Sequence, residues 1–275
     1  MRARTLLPLL LLCACSDGMA APGDVAGGLV AHYPFDDGPG SATARDASGN
    51  GYVLALRNMD FDSAWVADVP TLQSGNRYAI RLDGADDFLE SVASDSVRFD
   101  LVGRKAISVA LWVKLDRILP RDGHPFASQN DPQTRTGDHW GFYNWVGRED
   151  EPATQIGMHM PDTDWWVGKT TRNASLTAGT WHHVAVTWQA PERRPDFFQD
   201  GRKLRIGYDY RPMPPAIGGN VAPHYVPLRL GHPIHHAYEP YFGGSMDEVR
   251  IYDRKLSDAE VQLLASGGSP EAEGR

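Results

Sequence analysis

The chain has 275 residues with 27 basic and 35 acidic side chains, a formal charge of −8. That sign argues against nucleic acid as a partner, because phosphate binding depends on clustered Lys and Arg that release counterions. Two cysteines, Cys13 and Cys15, are the whole complement, and one intervening residue is too short for ordinary bridge geometry, so a disulfide framework is excluded as well.

The first segment reads as an export signal, residues 1–14. Arg2 and Arg4 give a positive start, Leu6 to Leu12 a short apolar core, and small residues close it. Seven or so apolar residues fall far short of the roughly 20 that span a bilayer as a helix. Leu12-Cys13-Ala14-Cys15 resembles the bacterial lipobox, which implies lipidation of Cys15 and a membrane contact made only through that anchor. Residues 15–27 are small and rich in Gly, Pro and Ala, the composition of a flexible tether. The expected location is the bacterial cell envelope, and Ser16 after the lipidated cysteine resembles the sorting signal for the outer membrane.

Residues 28–266 are expected to form one domain, long enough to bury most of its apolar surface. Period-two alternation recurs through it. In 29–35, Leu29, Ala31, Tyr33 and Phe35 share a face, and in 107–115 Ile107, Val109, Leu111, Val113 and Leu115 do the same. Further strands are predicted over 78–82, 88–92, 140–146, 155–160, 165–171, 182–188, 197–199, 203–206, 228–230 and 247–253. Asp200-Gly201 suits a hairpin that needs positive φ, and Ser48-Gly49-Asn50-Gly51 is a tight loop. A lone helix is predicted over 257–265, where Ser257 and Glu260 have capping-box spacing. The tail 267–275 is expected to be disordered. So many short strands with one helix define an all-β, antiparallel two-sheet sandwich.

Several pieces, in this order, resemble the laminin G-like jelly roll of the concanavalin A-like lectin/glucanase superfamily. They are Leu29-Val-Ala-His-Tyr-Pro-Phe-Asp36, Asp46-Ala-Ser-Gly-Asn-Gly51, Leu82-Asp-Gly-Ala-Asp-Asp-Phe88 and Ile107-Ser-Val-Ala-Leu-Trp-Val113. Gly179-Thr-Trp-His-His-Val-Ala-Val186, Gln199-Asp-Gly201 and the segment from Gly244 to Ser257 continue the series. The resemblance implies that the first and last strands are neighbours. It further implies a structural calcium ion held by Asp36, the Gly84 carbonyl and Asp247, with Asp83 as an additional ligand and the 46–51 loop nearby. Calcium takes six to eight oxygens, commonly carboxylates mixed with turn carbonyls, and these residues supply that mixture. The alternative is that the same carboxylates cap turns by accepting backbone amides.

Two stretches depart from the resemblance, 119–166 and 211–240. The first carries Trp140, Phe142, Tyr143, Trp145, Trp165 and Trp166, with Arg135, Asp138, His139 and His159 interspersed. Flat aromatic faces beside hydrogen-bonding groups describe a glycan-binding surface, so Trp140, Tyr143, Trp145, His159, Trp165 and Trp166 are the candidate ligand-binding residues. Alternation sends Trp140 and Phe142 one way and Tyr143 and Trp145 the other, so one pair must enter the core. His232, His235 and His236 lie in a Pro-rich loop without the fixed geometry of a zinc site, and Asn173-Ala174-Ser175 is a sequon. No catalytic residues are assigned: no predicted strand projects two carboxylates from one face, and neither G-x-S-x-G nor H-E-x-x-H occurs. The resulting expectation is a membrane-anchored surface or periplasmic module that binds a polysaccharide or an envelope or extracellular protein, with a structural calcium. The alternative is a polysaccharide hydrolase or lyase acting through Asp138, His139, His159 and Glu149, and a third reading is a structural envelope lipoprotein.

Overall fold

A computed structural model describes residues 25–71, 75–93, 98–118, 123–130, 139–146, 154–160, 174–206, 213–218, 225–234 and 240–268. Among them are fifteen strands and one helix. The first sheet holds β1 (Leu29–Tyr33), β4 (Trp65–Val66), β5 (Ala79–Asp83), β7 (Ala106–Leu115), β11 (Trp181–Gln189), β12 (Asp196–Gln199), β13 (Arg202–Lys203) and β15 (Gly243–Tyr252). The second holds β2 (Thr43–Ala44), β3 (Leu54–Arg57), β6 (Phe88–Ser91), β8 (Gly123–Gln129), β9 (Trp140–Val146), β10 (Thr154–His159) and β14 (Arg229–Leu230). Their orders are β13-β12-β11-β7-β15-β5-β4, with β1 also on β15, and β10-β9-β8-β14-β6-β3-β2. Every described pair is antiparallel. The strand expected over 165–171 lies outside the described residues.

The alternation in β7 explains its central position. Ile107, Val109, Leu111, Val113 and Leu115 enter the core between the sheets, where full burial of each side chain contributes about 2 kcal/mol. On the opposite face Ala110 joins Ala185, Phe198 and Tyr252 beneath the helix α1 (Asp258–Ala265). Both faces of this strand are therefore covered. The helix is set by Ser257, whose hydroxyl accepts from the Glu260 amide while the Glu260 side chain accepts from the Ser257 amide, satisfying two amides that would otherwise lack partners. Glu260 is held in turn by Arg254 at 2.6 Å.

As the resemblance implied, β1 pairs with β15, with Tyr33 opposite Val249 and Ala31 opposite Ile251. Val25 is fully buried against the helix-side cluster, three residues ahead of the expected domain start at residue 28. At the other end Gly267 and Gly268 donate to the Leu264 and Leu263 carbonyls. Asp200 and Gly201 both have positive φ, 49° and 74°, and form the β12–β13 hairpin as their side chains dictate. Among the described residues no helix is long and apolar enough to cross a membrane.

Candidate functional site

One polar centre sits where three strands meet. Along one edge β15 is lined by β7, while the other edge is shared end to end by β5, opposite Gly243 to Met246, and β1, opposite Val249 to Tyr252. The gap between β5 and β1 falls at Asp247 and Glu248. There the β15 register shifts against β7, and Glu248 adopts φ 51°, a bulge geometry that re-aims side chains. Asp247 is fully buried. Its Oδ2 accepts from Asn76 Nδ2 at 2.6 Å and its Oδ1 from the Glu248 amide at 2.8 Å. The chain leaving β1 brings in Asp36, whose Oδ1 accepts from the amides of Arg77 at 2.7 Å and Tyr78 at 3.1 Å. Asp36, Asn76 and Asp247 thus converge from three separate chain segments.

The electrostatics of this centre favour a cation. Burial, reinforced by the charges of Glu248 and Asp36, pushes the Asp247 carboxyl up to about 8, against the opposing bonds from Asn76 and the Glu248 amide. The Asn76 Oδ1 is buried and has no hydrogen-bond partner, an arrangement that costs about 1–3 kcal/mol when left so. Two carboxylates and a spare amide oxygen are hard ligands of the kind calcium takes, so these residues fit the ion. Neighbouring Glu248 stays ionised because it is paired. Burial works against its charge, but His32 at 2.7 Å and Arg250 at 2.7 Å outweigh that and hold its carboxyl below the usual range.

Asp83 and Gly84 do not join this centre. Asp83 lies opposite Gly243, four positions from Asp247 along β15, or about 13 Å at the usual strand rise. Its Oδ1 instead accepts from the Ala85 amide at 2.7 Å, and its carboxylate groups with those of Asp86 and Asp87. Asp46 is likewise a turn cap, accepting from the amides of His32, Ser48 and Tyr52. Asn76 was missed in the sequence, where the only signal was the Gly75-Asn76 turn dipeptide ahead of β5.

A second centre lies on the outer face of the second sheet. Alternation in β9 sends Trp140 and Phe142 into the core, both fully buried, which corrects the assignment of Trp140 as a ligand-binding residue. The cause is a buried acceptor on the next strand: Gln129 faces Trp140 in the ladder, and its Oε1 receives the indole N–H at 2.9 Å. Tyr143, Trp145 and His159 occupy the opposite face. Glycines on the flanking strands make room for the two larger rings. A Cβ at Gly123 would lie 3.2 Å from the Trp145 ring, and one at Gly157 would lie 2.7 Å from Tyr143. Trp145 thus lies against the sheet and remains 38% exposed, whereas Tyr143 is buried.

His159 pairs with Gly141 and is buried, which lowers its pKa to about 4. A histidine whose folded pKa is depressed stabilises the fold above its unfolded value near 6.5 and loses that contribution as the pH falls through 4. Wild type is therefore expected to lose on the order of 3 kcal/mol relative to His159→Gln between those limits, read as the difference between their urea midpoints at pH 6.5 and pH 4. His139 is also buried. Cys15, Arg135, Asp138, Glu149, Trp165, Trp166, Asn173, His235 and His236 lie outside the described residues.

Two antiparallel sheets, locked by pairing of the first and last strands and bearing an aromatic outer face, define a jelly-roll sandwich. The chain belongs to the concanavalin A-like lectin/glucanases superfamily, whose laminin G-type family model matches residues 83–262, more than half of its length. It is similar to neuronal pentraxin-2 of Cavia porcellus, at 29% identity over 96 residues that make up 33% of this chain and 21% of the relative. The human protein of that name gives 30% over the same length. The chain spans about a fifth of the curated relatives it matches. Among solved structures, domain 4 of an extracellular arabinanase from Geobacillus stearothermophilus, in complex with arabinotriose, superposes with a TM-score of 0.58 at 21% identity, covering 86% of this chain and 98% of that one. The binding domain of Paraclostridial Mosquitocidal Protein 1 gives 0.55 at 13% identity, covering 87% and 52%.

Proposed function

We propose that this protein is a calcium-stabilised glycan-binding module, carried on the bacterial envelope by a lipid on Cys15. The observation that carries the reading is Trp145, a large aromatic ring laid against the outer sheet face and left partly exposed to solvent. Such a ring offers the apolar face on which a sugar ring stacks, while polar groups nearby take its hydroxyls. The arabinotriose complex of the similar arabinanase domain supports a polysaccharide as the kind of partner. Calcium belongs at Asp36, Asn76 and Asp247, where it ties the start of β5 to the end of β1 and offsets the buried carboxylate. Its role is structural, since the described residues include no cysteine and gain most from a tie that closes long loops.

A panel of plant and bacterial polysaccharides, applied to the full chain with and without a chelator, tests this reading. Saturable binding of at least one polysaccharide without cleavage products is the expected result. Accumulation of shortened oligosaccharides, or the absence of binding throughout the panel, would contradict it.

A further inference from the structure

The two ends of the sandwich differ in charge. At the end where β7 begins and β11 and β15 finish, the Lys105 carbonyl accepts from the Ala190 amide at 2.7 Å and the Arg193 carbonyl from the Met213 amide at 3.0 Å. Arg205 arrives there as well, one residue after Leu204, whose amide bonds the Phe197 carbonyl near the start of β12 at 2.8 Å. The carboxylates of this end are already taken. Asp253 pairs with Arg104 at 3.4 Å, and Glu192 and Asp196 hold Lys255 at 2.7 and 2.8 Å. Lys105, Arg193 and Arg205 are exposed and have no ion-pair partner among the described residues.

The far end is the reverse. Asp83, Asp86, Asp87 and Asp116 gather where β5 and β7 finish and β8 begins. Trp145 belongs to that end too, since it is the penultimate residue of β9 and lies opposite Gly123, the first residue of β8. A chain of net charge −8 thus carries its unpaired cations at the end away from Trp145.

An independent observation is the route of the chain toward Cys15. Val25 is buried against the helix-side cluster, the Gly27 carbonyl accepts from Arg254 Nε, and the Gly28 carbonyl accepts from the Asp253 amide at 3.0 Å. Gly28 has φ 71°, and a Cβ there would fall 2.9 Å from Arg254 Cγ, so this path is fixed by glycine. The chain therefore leaves the fold at the basic end. Val25 lies ten positions after Cys15, a reach of at most about 35 Å. The ten residues of β7 alone measure roughly 33 Å at the usual strand rise, so the tether is no longer than the domain it holds.

We propose that this end is a membrane-facing surface, with Lys105, Arg193 and Arg205 against the anionic phospholipid headgroups of the bilayer that holds Cys15, and with Trp145 presented away from it. The inference rests on the lipid at Cys15 and adds the orientation. An acyl anchor limits distance without choosing which side of a domain faces the bilayer. Basic side chains beside the anchor are drawn to anionic lipid within about one Debye length, near 8 Å in physiological salt. The carboxylates at the far end are repelled by the same surface, so both effects turn the domain in one sense.

Lysine labelling of the full chain, exported and lipidated in a bacterial host, tests the proposal on vesicles of phosphatidylcholine alone and with about 30% phosphatidylglycerol. Lys105 is expected to react with an amine reagent about threefold more slowly on the anionic vesicles, and Lys114, near the far end of β7, equally on both. Salt at about 1 M should abolish the difference. Arg193→Glu combined with Arg205→Glu, both at exposed positions, should restore Lys105 labelling and leave the melting temperature unchanged. Equal labelling of Lys105 on the two vesicles, or equal protection of Lys105 and Lys114, would overturn the proposal. Protection of Lys105 by soluble dextran sulfate but not by vesicles would assign the end to a polyanionic glycan and overturn it likewise. Flotation with the neutral vesicles reports the lipid by itself: a chain that floats yet labels equally keeps the lipid and loses the orientation, and one that does not float loses both.

Discussion

Calcium is expected to raise the melting temperature of the full chain by about 10 °C, and Asp247→Ala to erase the difference. A ligand at a thousandfold excess over its dissociation constant adds about 4 kcal/mol, and each kcal/mol moves a domain of this size by roughly 2–4 °C. The metal-free protein should carry a second signature. A carboxyl raised to about 8 by burial stabilises the fold fully below its unfolded pKa near 4 and loses that contribution as the pH rises toward 8. Chelated wild type should therefore lose stability relative to Asp247→Ala across that interval, and calcium should suppress the loss. Equal melting with and without calcium would remove the ion from Asp36, Asn76 and Asp247.

Trp140→Ala is expected to cost about 3–5 kcal/mol, the range for truncating a buried aromatic ring. The loss also strips Gln129 of the indole donor it receives at 2.9 Å, leaving a buried acceptor less well satisfied. Five residues along the same strand, Trp145→Ala should change stability by no more than about 1 kcal/mol, because its ring already stands partly in solvent. Urea midpoints of the two variants measure the contrast. Equal losses would mean that both rings serve the core.

The parts of the fold that were legible in the sequence are those whose side chains obey one rule throughout. The β7 alternation, the Asp200-Gly201 hairpin and the Ser257–Glu260 capping box each appear where the residues placed them. By contrast β8, Gly123 to Gln129, escaped notice because His124 and Pro125 interrupt its pattern, although both His124 and Phe126 are buried. β3 reads Leu-Ala-Leu-Arg, a run without β-branched residues, and β2 and β4 are two residues each.

The candidate sites followed the same division. Pairing of the chain ends brought Asp36 and Asp247 to one place, as the ordered motifs implied. The motifs do not encode register, and the strand length from Gly243 to Asp247 is what separates Asp83 and Gly84 from that pair. Alternation divided the aromatics of β9 into two sets. It could not say which set faced inward, because both were apolar. The buried amide of Gln129 and the glycines at 123 and 157 decided it, through contacts with the strands on either side of β9.

The most direct measurement is a calorimetric titration of the tightest-binding polysaccharide of the panel into wild type and Trp145→Ala, both in calcium. Loss of a central aromatic contact should weaken the variant about thirtyfold, close to 2 kcal/mol, with its melting temperature preserved. An affinity unchanged by that substitution would take the glycan away from the outer sheet face and contradict the function assigned to it.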